Sequence, residues 1–330
     1  MTQPLLNLAN ATLTAGERRT RMLRTAMGPA VGAALEDPDV IEVLVNPDGS
    51  LWLDRVGTGL TSTGITLSAQ DAERIIRVVA AQVGAEITSG SPILSAELPL
   101  TGERFEGVVP PVVRAPSFAI RKRAMSAMSL TTYVRQGVMT LAQADFLRAA
   151  VAARLNILVA GGASTGKTTL VNALLQEVAR TGDRVILLED TIELQCLVDD
   201  HVPMRSYPGV ATLAELVRST LRLRPDRIIV GEVRGGEALD LLKAWGTGHP
   251  GGLATLHAGS AAGALARLEQ LILEVAASVS RALIVDAVQV IAVLEGRGNA
   301  RRLSELVRVT GVCGERYQLE PITSSQGETP

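Results

Sequence analysis

Apolar residues recur along this chain with two different periods. Between residues 69 and 83, Ala72, Ile75, Ile76 and Val79 fall at helical spacing and predict an amphipathic helix. Residues 17–35 open on Glu17-Arg-Arg-Thr-Arg-Met-Leu-Arg and read as a charged helix. Ile41-Glu-Val-Leu-Val45 and Ser50-Leu-Trp-Leu-Asp54 flank Asn46-Pro-Asp-Gly49, which predicts a β-hairpin with Pro and Gly supplying the turn. Strand-like pieces follow at 93–98, 104–109 and 117–122, so residues 1–123 form an α+β module.

The pattern then changes. Ala124-Met-Ser-Ala-Met-Ser-Leu-Thr-Thr is small and polar, and 124–139 is assigned as a linker. Beyond it, a helix at 141–153 leads into strands at about 155–160, 184–188, 227–231, 253–257 and 287–294. Helices alternate with them at about 167–180, 211–222, 237–245 and 260–277. Several of these strands are short continuous apolar runs. Alternation of this kind predicts an α/β domain over 140–322, a mostly parallel sheet covered on both faces. The tail, 323–330, is polar and expected to be disordered.

The apolar run ending at Ala160 passes into Gly161-Gly-Ala-Ser-Thr-Gly-Lys-Thr-Thr169 and then into Leu170-Val-Asn-Ala-Leu-Leu. Strand, glycine-rich turn and helix form the context a phosphate-binding loop requires. Gly161, Gly162 and Gly166 allow the backbone to curl with its N–H groups inward, and the loop opens a helix whose N-terminus favours an anion. Gly161, Gly162, Ala163, Ser164, Thr165, Gly166, Lys167, Thr168 and Thr169 are therefore the candidate nucleotide-binding residues. Lys167 is expected to reach the β- and γ-phosphates, and Thr168 to hold Mg²⁺.

Two further strands end in acids. Val185-Ile-Leu-Leu runs into Glu189-Asp190-Thr-Ile-Glu193, and Arg227-Ile-Ile-Val-Gly runs into Glu232. In an open α/β sheet, ligands sit at the carboxyl ends of the strands. Glu189 and Glu232 there can order Mg²⁺, in part through water, and Glu232 is the candidate for activating the attacking water. The stretch Thr247-Gly-His249-Pro-Gly-Gly-Leu-Ala-Thr-Leu-His257-Ala258 holds two of the three histidines, and either can hydrogen-bond a phosphate or report its loss.

Composition narrows the partners. The formal net charge is −2 and aromatics are 2%, unlike the strongly basic footprint of a dedicated nucleic-acid binder or the stacking platforms of a single-strand binder. Only Lys122, Lys167 and Lys243 are lysines, so arginine is the default cation and a lone arginine carries little signal. Mean hydropathy is +0.25, yet no uninterrupted apolar run approaches the roughly 18 residues of a membrane span. The start lacks a charged region followed by an apolar core, so no signal peptide is expected. Cys196 and Cys313 form no metal or disulfide framework, consistent with a reduced cytoplasmic compartment.

Four motifs in order, GGASTGKT, LLEDTIEL, RPDRIIVGEVRGGEA and TGHPGGLATLHA, resemble the secretion (traffic) ATPase superfamily, and within it the TrbB-type conjugal transfer ATPases of type IV systems. The N-terminal half is similar more loosely, through the NPDG hairpin, the GER segment and the FAIRK strand. The resemblance implies a RecA-like ATPase core with a smaller N-terminal domain, ATP and Mg²⁺ as ligands, and a homohexamer. It also implies attachment to inner-membrane components of a secretion or conjugation apparatus, on the cytoplasmic face of the inner membrane. Direct sequence-specific nucleic-acid binding is not expected. Lys167, Glu189, Glu232 and His257 match catalytic motif positions. Arg104 and Arg121 match positions from which the N-domain brings arginines to the phosphates. A RecA-like helicase, a pilus retraction-type ATPase and a scaffold that uses nucleotide only to assemble are the rival readings. The stretch TGHPGG leans away from the retraction motors, and two distant cysteines rule out the four-cysteine zinc module of type II relatives.

Overall fold

The computed structural model describes residues 15–99, 101–122, 128–207 and 209–322, with side chains from residue 22 onward. The tail 323–330 and the first residues of the expected linker, 124–127, lie outside the described residues. The chain divides near residue 125 into two compact units, each with its own core.

In the first unit, α1 (Ala15–Glu36) precedes β1 (Val40–Val45), β2 (Ser50–Arg55) and β3 (Gly59–Thr66). Then come α2 (Ala69–Val83), β4 (Ile93–Glu97), β5 (Arg104–Val108) and β6 (Ser117–Arg121). The strands form one antiparallel sheet in the order β3-β2-β1-β6-β5-β4. Helix α2 is capped by the Ser68 hydroxyl and by Gly84 in the left-handed conformation, as its boundaries require. It buries Ala72, Ile75, Ile76 and Val79, the stripe that predicted it. The charged helix at the start is not continuous: Gly28, at φ 71° and ψ 174°, and Pro29 break it. Proline disfavours helical geometry in the residue before it and removes a donor, so the segment turns there.

The second unit holds α3 (Leu130–Arg135), α4 (Leu141–Ala152), β7 (Ile157–Gly161) and α5 (Lys167–Val178). It continues through β8 (Val185–Glu189), β9 (His201–Arg205), α6 (Leu213–Thr220), β10 (Arg227–Val233) and α7 (Glu237–Gly246). It ends with β11 (Leu253–Leu256), α8 (Ala261–Leu273), α9 (Arg281–Ala287), β12 (Val290–Glu295), β13 (Arg302–Cys313) and β14 (Arg316–Pro321). The sheet order is β14-β13-β12-β7-β11-β10-β8-β9. From β12 to β9 every pairing is parallel, while β13 and β14 add an antiparallel edge.

β7, β8 and β11 are buried along their whole length, which is why they read as unbroken apolar runs. Each fully buried Leu, Ile or Val stabilises the fold by about 1.5–3 kcal/mol. Part of the span assigned as a linker is a helix: Ser129 caps α3, and Leu130 and Tyr133 are fully buried in the second unit's core. No helix among the described residues is long and apolar enough to cross a membrane.

Candidate functional site

The parallel strands place four chemically distinct segments along one edge of the second unit's sheet. β7 ends in the glycine-rich loop, β8 in Glu189, β10 beside Glu232, and β11 immediately before His257. The loop conformation requires its glycines. Gly161 has φ 155°, and a Cβ there would lie 2.6 Å from both the Leu294 carbonyl oxygen and the Thr165 hydroxyl. Gly166 has φ 93° and opens α5. Ser164 also takes a left-handed φ of 62°. Lys167 is buried, and its Nζ donates to the Gly162 carbonyl at 3.0 Å, so the ammonium is folded back over the loop.

Glu232 occupies a register irregularity. Between Val230 and Val233, β10 advances by three residues while β11 advances by two, from Ala254 to Leu256. Such bulges re-aim side chains next to functional sites. The extra residue turns the Glu232 carboxylate towards His257, whose Nε2 lies 2.7 Å from Oε1. His257 Nδ1 is 3.4 Å from Lys167 Nζ. Burial and the Lys167 charge hold the His257 pKa below its ordinary 6.5, although the Glu232 carboxylate opposes them. The other Glu232 oxygen pairs with Arg234. Gly231 must be small, because a Cβ would come within 3.1 Å of the Glu189 side chain.

The acidic segment is folded as a tight loop over α5. Glu189, buried at the end of β8, accepts the backbone N–H groups of Glu193 and Leu194 at 2.8 Å each. Asn172 on α5 donates to the Glu193 carbonyl and accepts from the Gln195 N–H. These bonds bring the Glu193 carboxylate to the Thr168 hydroxyl, which donates to it at 3.1 Å. Asp190 accepts from the Ser206 hydroxyl.

The structure thus gathers Lys167, Thr168, Glu189, Glu232 and His257 at one edge. His249 is not drawn to the loop; its Nδ1 lies 3.2 Å from the Ala244 carbonyl near the end of α7. In the first unit, Arg104 and Arg121 are direct cross-strand partners on β5 and β6. Glu97 faces Arg104 and Glu42 faces Arg121, so two acids flank the arginine pair. Like charges placed directly opposite are destabilising by themselves, and the flanking acids offset that. Arg123 lies outside the described residues.

Sequence reasoning did not single out Arg234, Asn172 or Ser206. Arg234 stands two residues after Glu232 and was hidden by the arginine-rich composition.

These residues fit Mg²⁺ and a nucleoside triphosphate. Glu232 Oε1 is buried and accepts no hydrogen bond of acceptable geometry, despite the close His257 contact. Gly161 and Gly166 hold the loop in a conformation that a Cβ at either position would obstruct. Thr168 presents a hydroxyl with the Glu193 carboxylate beside it, oxygen donors of the kind a hard cation takes, while among the described residues no three acidic, histidine or cysteine side chains are gathered to hold an ion by themselves.

The sequence pattern of the family described as type II/IV secretion system protein matches residues 76–305. A conjugal transfer protein TrbB of Rhizobium radiobacter is 45% identical over 305 residues, covering 92% of this chain and 94% of that protein. The type IV secretion system protein VirB11 of Brucella suis is 34% identical over 274 residues, covering 73% of this chain and 75% of that protein. Among solved structures, the ATPase DotB of Legionella pneumophila superposes with a TM-score of 0.59 at 21% identity. That match covers 86% of this chain and 77% of DotB, and it supports the fold.

Proposed function

This chain belongs to the type II/IV secretion system protein family, and from that premise we propose that it is a Mg-ATP-hydrolysing motor of a type IV secretion or conjugal transfer system, working as a homohexamer. The observation that carries the catalytic reading is the Glu232 carboxylate, whose buried Oε1 is held 2.7 Å from His257 Nε2, with His257 in turn 3.4 Å from Lys167 Nζ. A carboxylate so placed takes the proton of the attacking water. Water adds to the γ-phosphorus, the bond to the β–γ bridging oxygen breaks, and ADP leaves with that electron pair.

Lys167 leaves the Gly162 carbonyl to pair with the β- and γ-phosphates, and backbone N–H groups of the loop from Gly162 to Thr169 hold their oxygens. Thr168 would hold Mg²⁺, with Glu189 and Glu232 acting in part through water; Glu193, already bonded to Thr168, joins them. When bound, the ion offsets charge on the phosphate oxygens. His257 spans Glu232 and Lys167, so loss of the γ-phosphate changes its surroundings directly. Arg104 and Arg121 supply further positive charge to the phosphates in this reading, which rests on their match to family positions. The motor docks on inner-membrane components from the cytoplasmic face and converts closure and reopening around nucleotide into rigid-body motion of the ring.

The test is phosphate release by purified protein with Mg-ATP, with and without single-stranded DNA, while light scattering sizes the particle. Turnover that depends on hexamers and ignores DNA is expected. Turnover rising steeply with DNA and falling with salt would instead identify a nucleic-acid motor.

A further inference from the structure

The connection from β12 to β13 runs along the glycine-rich loop on the side away from Glu232 and His257. In the sheet, β12 flanks β7 on one side and β11 flanks it on the other, with β10 beyond β11. Leu294 on β12 pairs with Gly161. A tight turn follows, in which the Ala300 carbonyl lies 2.1 Å from where a Gly296 Cβ would be. The Arg301 N–H donates to the Gly298 carbonyl at 3.3 Å, and the Leu303 N–H donates to the Val138 carbonyl at 2.7 Å. Arg301 is thereby pinned with its guanidinium against the last loop glycine. A Cβ on Gly166 would lie 2.9 Å from Arg301 Cζ, 3.1 Å from Nε and 3.2 Å from Nη1.

Among the described residues nothing accounts for a cation at this place. Its guanidinium makes no hydrogen bond or ion pair among the described residues, and its Nε is buried and unsatisfied. An orphaned buried donor is costly. The position adjoins the N-terminus of α5, where the helix dipole repels positive charge, and it adjoins the residue preceding Lys167. Nearby, Tyr133 on α3 is fully buried and its hydroxyl also lacks a partner among the described residues. Burial raises the Tyr133 phenol well above its ordinary value, and the Arg301 charge opposes that rise, which places the two groups within electrostatic reach. A guanidinium with an orphaned buried Nε stands against the last loop glycine, beside the positive end of α5, and an anion is what completes it.

We propose that Arg301 is a nucleotide-binding residue that pairs with the α-phosphate, on the nucleoside side of the loop. The assignment of the α-phosphate follows from the sheet order. Glu232 and His257 define the hydrolytic side, beyond β11, and Lys167 Nζ is directed towards His257. Arg301 approaches from β12, across the loop from that side, and so meets the part of the ligand that remains when the γ-phosphate has gone. The proposal rests on the nucleotide reading given above.

The test is calorimetric titration of the full chain with Mg-ADP and with a non-hydrolysable ATP analogue, on the wild type, Arg301→Gln and Arg301→Lys. Arg301→Gln is expected to weaken both nucleotides about tenfold and to a similar extent, because the lost charged hydrogen bond is common to both. Arg301→Lys, which keeps the charge, is expected to lose less. Unchanged affinity for both ligands in Arg301→Gln overturns the proposal, and so does a loss confined to the ATP analogue, which would move the contact to the γ-phosphate. Circular dichroism of each variant establishes that it is folded, and Arg301→Lys stands in should Arg301→Gln not fold. A wild type that binds neither nucleotide would remove the nucleotide reading itself, whereas a binding wild type with an indifferent Arg301→Gln removes the Arg301 assignment alone.

Discussion

His257 Nε2 lies 2.7 Å from Glu232 Oε1, joining the ends of two neighbouring parallel strands, β11 and β10. The residues are far apart in sequence, and the parallel pairing of Val233 with Leu256 brings them together. The bulge on β10 then aims the carboxylate at the ring.

Because burial and Lys167 depress the His257 pKa, the ring stays neutral until the pH falls below 6.5. A neutral imidazole beside an ammonium avoids like-charge repulsion. NMR titration of the ring signals, assigned with His257→Gln, is expected to give a midpoint below 6.5. A midpoint at or above 6.5 would mean that the Glu232 carboxylate outweighs burial and Lys167 together.

At the opposite ends of the strands, Arg227 is fully buried and its Nε donates to Asp183 Oδ2 at 2.6 Å. Arg227 also donates to the carbonyls of Val151 and Gly251, and Arg154 and Thr181 complete the Asp183 carboxylate. Removing one partner of such a pair strands a buried charge, so Asp183→Ala is expected to cost about 3–5 kcal/mol. Burial alone would raise the Asp183 pKa, but hydrogen bonds from Thr181, Arg227 and Arg154 hold it below 3.8. A folded-state pKa below the unfolded one adds stability above the unfolded value, and that stability is lost as the pH falls through the depressed one. Urea midpoints of the wild type and Asp183→Ala are therefore expected to differ most near neutrality and to converge below about pH 3.8.

Gly161→Ala forces a Cβ to within 2.6 Å of the Leu294 carbonyl and the Thr165 hydroxyl, at a φ of 155°. The strain is expected to be about 1–3 kcal/mol, read as a lowered Tm together with weakened nucleotide binding. A variant with unchanged Tm and affinity would show that the loop relaxes without using its observed conformation.

Much of the second unit was legible because its central strands are buried on both faces and therefore continuous in apolar character. Ile157–Gly161 and Val185–Glu189 are buried throughout. What sequence alone did not disclose lies at the edges. β3, Gly-Leu-Thr-Ser-Thr-Gly-Ile-Thr, is largely exposed and carries no alternating apolar signal. β9 is short, holds Pro203 and edges its sheet. The helix at Leu130 was masked by small polar neighbours, although tertiary burial of Leu130 and Tyr133 selects it. At the site, motif spacing gave the loop and the two acids. The contact of Thr168 with Glu193 and the approach of Arg301 to Gly166 depend on chain folding over long separations, and no local period encodes them.

Lys167→Ala removes the ammonium that bonds to the Gly162 carbonyl and reaches His257. Phosphate release is expected to be abolished with the circular dichroism spectrum retained. Wild-type turnover in that variant would remove the phosphate loop from the mechanism.

Single-turnover phosphate release by Glu232→Gln probes the water activation proposed for Glu232, since the amide keeps the shape but cannot take the proton. The rate is expected to fall by about a hundredfold or more while Mg-ATP still binds. Phosphate release at the wild-type rate, with ATP bound equally well, would contradict it.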